Sequence, residues 1–214
     1  MNKKVILLVF LIITSFGFSQ NAKTLLDDVT KKVQSYDNIY IEFEHTFDNT
    51  VANIHDKTRG NATLKGEMYH FDFMGLEQLF DGKKIYMITP EFEDVVIKKV
   101  GNSDDATTLT PSKFLTFYEK GFTYKMDILQ NIKGRKIQYV KLVPIDSDSD
   151  LKHILLGIDN VTKHIYKVIE TGKDDTITTV TISKFATNQS ISNKLFTFDR
   201  SKFEDKGYDI TEPK

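Results

Sequence analysis

Residues 68–97 read MYHFDFMGLEQLFDGKKIYMITPEFEDVVI. Tyr69, Phe71 and Phe73 alternate with Met68, His70 and Asp72; Ile85 and Met87 follow the Asp81-Gly82 pair, and Val95 and Ile97 follow the stretch from Pro90 to Asp94. A period of two with apolar residues on one parity is what a strand with one dry and one wet face requires. Asp-Gly between two such runs is a hairpin signal, because a type I′ turn needs positive φ at both central positions and glycine supplies one without strain. The segment reads as successive short antiparallel strands.

The same period extends in both directions. Upstream, Ile39, Ile41, Phe43 and Phe47 alternate with Tyr40, Glu42, Glu44 and Thr46. Downstream, strands are predicted from Phe122 to Leu129, Lys136 to Val143, Leu151 to Ile158, His164 to Glu170, Thr176 to Phe185 and Leu195 to Phe198. Their connections are rich in Asn, Asp and Gly, as short turns demand. So many strands joined so briefly imply a meandering antiparallel sheet. Two amphipathic helices interrupt it. Residues 22–36 place Leu25, Leu26, Val29, Val33 and Tyr36 on one stripe, opposite Lys23, Asp27, Asp28, Lys31 and Lys32. Thr110 can cap a helix beginning at Pro111, with Phe114, Leu115, Phe117 and Tyr118 as its stripe and Gly121 as its stop. A curved sheet cannot leave its apolar face wet, and two such helices are its natural covers. The expected fold is α+β but mainly β, an unclosed antiparallel barrel with the helices as a lid over its concave apolar face.

Length and composition narrow the classes. Met1 to Lys4 carry the charge, residues 5–18 the apolar run, and Gly17 and Ser19 the small residues of a secretory leader, so cleavage is expected between Ser19 and Gln20. That run is shorter than the roughly 20 residues a membrane-spanning helix needs. A single domain is expected over residues 20–214. Of 29 basic and 30 acidic residues in the chain, only Lys3 and Lys4 leave with the leader, so 27 against 30 remain, a formal charge of −3. A nucleic-acid surface needs the opposite excess. Without cysteine there is no lipidated cysteine, disulfide, thiol nucleophile or thiolate zinc site.

Chemical motifs are sparse. His45, His55, His70, His153 and His164 stand apart from one another at no metal-ligand spacing. Asp146-Ser147-Asp148-Ser149-Asp150 opens like a calcium loop, but Leu151 and Gly157 occupy the places where that loop needs Gly and Glu, so a solvated turn is expected. No nucleophile elbow, phosphate loop or dinucleotide fingerprint occurs. The expectation is therefore no catalysis, no metal and no cofactor. What the chain does hold is 16 Phe and 9 Tyr with no Trp.

The order of these elements resembles the outer-membrane lipoprotein carrier family, LolA, across nearly all of residues 20–214. The resemblance runs from the helix ending Val33-Gln34-Ser35-Tyr36 and the strand Ile41-Glu42-Phe43 through Gly60-Asn61-Ala62-Thr63-Leu64-Lys65-Gly66-Glu67 to Phe80-Asp81-Gly82-Lys83-Lys84-Ile85-Tyr86-Met87-Ile88-Thr89-Pro90, its most specific piece. Residues 154–169 resemble the family's penultimate hairpin and Leu195-Phe196-Thr197-Phe198 its closing strand. One feature departs from the family: many members carry an Arg-Pro pair at the start of the third strand, where the arginine latches the lid, and this chain has Gly66-Glu67 there, with Arg59 several residues earlier.

The resemblance implies a periplasmic, monomeric chaperone that shelters the acyl chains of lipoproteins between inner and outer membrane. Its cargo would come from an ATP-driven inner-membrane transporter and pass to an outer-membrane acceptor. On this reading Ile41, Phe43, Tyr69, Phe71, Phe73, Ile85 and Met87 line the sheet side of a lipid pocket, and Leu26, Val29, Phe114, Leu115 and Phe117 line the lid side. Two other readings remain open at this point. A hydrolase on a lipid-binding barrel would need converging acids or a Ser/His pair on the concave face, and a non-catalytic interaction module would have a filled interior.

Overall fold

The computed structural model describes residues 21–99 and 110–212; the expected leader and its cleavage site lie outside the described residues. Twelve strands form one sheet. They are β1 (Ile39–Asn49), β2 (Ile54–Lys65), β3 (Met68–Phe73), β4 (Leu76–Phe80), β5 (Lys84–Thr89), β6 (Asp94–Lys99), β7 (Phe122–Ile132), β8 (Arg135–Pro144), β9 (Leu151–Asp159), β10 (Ile165–Gly172), β11 (Ile177–Thr187) and β12 (Asp209–Thr211). Their order is β12-β6-β5-β4-β3-β2-β1-β11-β10-β9-β8-β7, a linear succession that is not closed into a barrel. The mainly β, unclosed, antiparallel class expected from the sequence is therefore the one found. Helix α1 covers residues 21–34, and α2 (Pro111–Phe114) and α3 (Arg200–Glu204) are one turn each. The described residues divide into two compact units. One holds the chain up to Ser35, Thr46–Asp56 and Phe117–Thr181; the other holds Tyr36–His45, Lys57–Thr116 and Ile182–Lys214.

In the first unit, β7 to β10 and the start of β11 form a meander. Lys133 and Gly134 have φ of 51° and 80°, the two positive values a type I′ hairpin requires between β7 and β8. Register pairs Val140 with Leu156 and Leu142 with Ile154, then Val168 with Leu156 again. Residues directly opposed share a face. Val140, Leu142, Ile154, Leu156, Ile158, Ile165 and Val168 therefore form one dry surface, each 2% exposed or less. Burying such a side chain contributes about 1.5–3 kcal/mol. Asp159 shapes the following turn: one carboxylate oxygen accepts the backbone N–H groups of Val161 and Thr162 at 2.9 and 3.1 Å, and the other accepts Arg135 Nε at 2.7 Å. On α1, Ala22, Leu25, Leu26 and Val29 are buried, while Lys23 and Asp27 pair on the wet side at 2.8 Å.

In the second unit, the short connections follow the expected logic with one substitution of means. Met74 and Gly75 have φ of 54° and 75° and make the type I′ turn between β3 and β4. Asp81-Gly82 does not make a second one. Only Gly82 has positive φ, and Asp81 instead accepts the backbone N–H groups of Lys83 and Lys84 at 2.8 Å each, so its side chain rather than its φ builds the loop. β2 and β4 had no clear alternation of their own, and their neighbours pull them into the sheet.

Two sequence expectations need correction. The mid-chain helix is a single turn, α2, capped by Thr110, whose carbonyl accepts Phe114 N at 2.9 Å; a 3-10 turn, Phe117–Glu119, follows. The closing strand at 195–198 is instead a 3-10 turn, Asn193–Phe196, started by Ser192 Oγ accepting Lys194 N at 3.3 Å. The alternation is real, because Phe196 is 1% exposed, but it serves a packed turn. The last strand is β12, which runs parallel to β6 with Ile210 beside Val95.

Candidate functional site

The two faces of β2 to β6 are covered differently. On one, Ile88, Val95 and Ile97 make a small core that Tyr86, Phe198, Phe203, Tyr208 and Ile210 close. Phe198 stacks on Tyr86 at 4.5 Å between centroids and on Phe203 at 5.1 Å. Tyr86 donates its hydroxyl to Asp81 at 2.9 Å; burial, then this carboxylate, push it up to about 12.

The opposite face holds the sheet-side residues named from the sequence. Tyr69 faces Leu64 on β2 and Phe80 on β4; Phe71 faces Ala62 and Gln78; Phe73 faces Gly60 and Leu76. Ile85 and Met87 continue this face opposite Phe80 and Gln78. Phe43 joins from β1, stacked on Phe71 at 6.1 Å and 10° and tilted on Phe73 at 5.5 Å. Its Cζ lies 2.5 Å from where a Cβ on Gly60 would stand, so glycine is required there to let the ring lie on the sheet. Ile41, two residues before Phe43, shares its parity. All seven thus occupy one face of the second unit.

Their burial is uneven. Ile41, Phe43 and Tyr69 are buried, whereas Phe71, Phe73, Ile85 and Met87 are partly exposed although apolar. Of the lid-side residues, Leu115 is fully buried, Phe114 is partly exposed, and α2 lies against β3. Leu26, Val29 and Phe117 fall in the first unit: the two helix residues are buried, and Phe117 is partly exposed, edge-on to Tyr118 at 5.7 Å and to Phe122 at 6.2 Å. Tyr118 is 1% exposed, shares a hydrogen bond with Thr30 Oγ1 at 3.1 Å and is pushed up to about 12 by burial.

Sequence reasoning missed Ala62, Leu64 and Phe80, which complete the apolar face. The first two sit at the end of a polar strand, and the third ends a strand of five residues. None of these face residues on β2 to β5 is a carboxylate, histidine or lysine. The reverse face carries a polar groove of about 370 Å³ lined by Tyr40, Glu42, Glu44, Arg59 and Asp72 among others. Two of its carboxylates are paired, Glu42 with Lys184 at 3.1 Å and Glu44 with Lys57 at 2.8 Å. Histidine is used in pairs too: His70 meets Glu77 at 2.8 Å, a contact that holds the carboxyl below its usual range against the opposing effect of burial. Among the described residues no three His, Cys, Asp or Glu side chains gather as a metal site would need. In the Asp146–Asp150 turn, Asp146 accepts the N–H of Asp148 at 2.9 Å and Lys173 Nζ donates to Ser147 O at 2.7 Å.

An open, mostly antiparallel sheet with an incompletely covered aromatic face defines a carrier-type fold. The family described as outer membrane lipoprotein carrier protein LolA matches residues 78–199, more than half of the chain, and the chain belongs to that family. Among solved structures it is similar to an uncharacterized conserved protein from Thermus thermophilus, with 7% identity over 90% of this chain and 99% of that one and a TM-score of 0.56. It is also similar to a LolA superfamily protein from Nitrosomonas europaea, with 12% identity, coverages of 83% and 97% and a TM-score of 0.41. A third, a putative outer membrane lipoprotein-sorting protein domain from Vibrio parahaemolyticus, shows 8% identity, coverages of 88% and 98% and a TM-score of 0.44. No curated protein matches the chain. No helix among the described residues is long and apolar enough to cross a membrane.

Proposed function

We propose that this protein is a periplasmic carrier, exported through a cleaved leader and without catalytic activity, that binds the acyl chains of lipoproteins and moves them from the inner to the outer membrane. The observation that carries the reading is the contrast between two apolar surfaces. In the first unit the aliphatic side chains that oppose one another on β8 to β10 are buried; in the second, Phe71, Phe73, Ile85 and Met87 keep part of their apolar surface available. Single exposed apolar side chains are ordinary, but several on one contiguous sheet face are what a binding surface presents. Each acyl methylene withdrawn from water is worth about 0.8 kcal/mol, so a fourteen-carbon chain needs an apolar host worth roughly 11 kcal/mol to leave its membrane. Phe and Met surfaces that repack suit a host that must also release. Loading by an ATP-driven inner-membrane transporter and delivery to an outer-membrane acceptor complete the proposal, with the molecule acting as one monomeric carrier domain over residues 20–214.

The test is uptake of a fluorescent lipopeptide by wild type and Phe71→Glu. A carboxylate on the partly open face should weaken binding at least about tenfold, because it must be desolvated against hydrocarbon. Unchanged affinity in a variant with native circular dichroism would remove Phe71 from the site. If wild-type protein takes up no lipopeptide, and its organic extract contains no lipid, the carrier reading itself fails.

A further inference from the structure

Tyr69 breaks the chemistry of the face it occupies. It is 2% exposed, and among the described residues its hydroxyl is the buried side-chain polar atom without a hydrogen-bond partner. Other tyrosines of this chain are provided for: Tyr118 shares a bond with Thr30, Tyr86 donates to Asp81, and Tyr124 donates to the Tyr118 carbonyl at 3.0 Å. Burial pushes the Tyr69 phenol up to about 12, so it remains a proton donor at any physiological pH. Among the described residues it meets no acceptor within hydrogen-bond distance. Leu64 and Phe80 flank it across the ladders, the Phe80 ring 5.6 Å away, and Phe71 and Ile85 continue the same apolar face. A buried donor left unmade is costly, and phenylalanine would pack the same ring without that cost. The missing acceptor is therefore to be sought in what the face binds.

An acyl chain offers one kind of acceptor: the carbonyl of the ester or amide that joins it to its head. Resting on the acyl-carrier reading above, we propose that Tyr69 Oη donates a hydrogen bond to that linkage carbonyl. The hydroxyl then marks where the polar end of the chain stops on β3, and the hydrocarbon runs over Phe71, Phe73, Ile85 and Met87. Tyr69 would discriminate carbonyl-linked chains from plain hydrocarbon, a selectivity that apolar contact alone cannot give.

The experiment compares wild type and Tyr69→Phe for displacement of a fluorescent fatty probe by three lipids of equal chain length: a diester glycerolipid, its diether analogue without carbonyls, and an N-acyl peptide. Wild type should prefer the ester over the ether by about five- to tenfold, the worth of one hydrogen bond to a neutral acceptor. In Tyr69→Phe the ester-to-ether preference should fall to about one, with thermal stability equal or higher. A loss of preference for the peptide as well assigns the bond to amide and ester alike; a loss for one only assigns it to that linkage. The same ester-to-ether ratio in both proteins overturns the role of Tyr69 and leaves the carrier reading standing. Failure of wild type to bind any of the three overturns both.

Discussion

Asp159 is 4% exposed and ends β9 with three charge-assisted or backbone hydrogen bonds, from Arg135, Val161 and Thr162. Burial pushes its carboxyl up, but the Arg135 contact and the two N–H groups outweigh it and hold the group below the usual carboxylate range. Asp159→Ala removes the turn's acceptor and leaves Arg135 without its carboxylate; urea unfolding should show a loss of about 2–3 kcal/mol. From the sequence Asp159 is legible as a turn residue, because Asp-Asn between two alternating runs is turn chemistry. Its partner Arg135, 24 residues away, is not. Gly60 is similar: a glycine inside a strand hints at a close approach, but only the fold shows that the Phe43 ring is what approaches.

At the scale of elements, the C-terminal segment is where alternation misleads. Leu195 to Phe198 has the parity of a strand, yet Phe196 and Phe198 are placed by packing, and the strand comes later as β12. The three residues of β12 cannot hold an edge alone, so the Tyr86-Phe198-Phe203 stack should anchor them. Phe198→Ala leaves a gap between two rings and should cost about 2 kcal/mol. Hydrogen exchange at 209–211 and at the β6 edge should accelerate more than at β8 and β9; uniform acceleration would show that the stack does not hold β12. Helix α2 illustrates the reverse error. Its cap, first proline and stop glycine are all where the sequence puts them, but the chain turns into the 3-10 segment after a single helical turn.

For the whole molecule, acid and alkaline sides of the stability profile have different origins. Asp159 and Glu77 have depressed carboxyls, so their stabilisation is present above their unfolded values and disappears as pH falls through the folded ones. Glu170 is the opposite: it lies on the dry face opposite Ile154, and burial raises its carboxyl. Both states hold the proton below the unfolded value, and stability is lost as pH rises through the folded one. Glu170→Gln should therefore raise the melting temperature near neutral pH and change it little at about pH 3.5. Equal gains at both would mean that packing, not charge, is responsible.

Alternation along the chain is enough to set the parity of β1, β3 and β5, to locate β8 and β9, and to mark the amphipathic stripe of α1 and the position of most turns. These depend on neighbours within a few residues, and a period of two fixes which side chains share a face. It also placed the seven sheet-side candidates on one parity, strand by strand. The tertiary structure decided what crosses strands: that β2 and β4 flank and pair with β3 despite weak patterns, that the last strand is β12 and parallel, that Arg135 meets Asp159, and that the Tyr69 hydroxyl is buried without a partner among the described residues. It also decided which apolar side chains are buried and which stay partly exposed, because residual exposure depends on what lies above a face, and alternation along one strand carries no record of that.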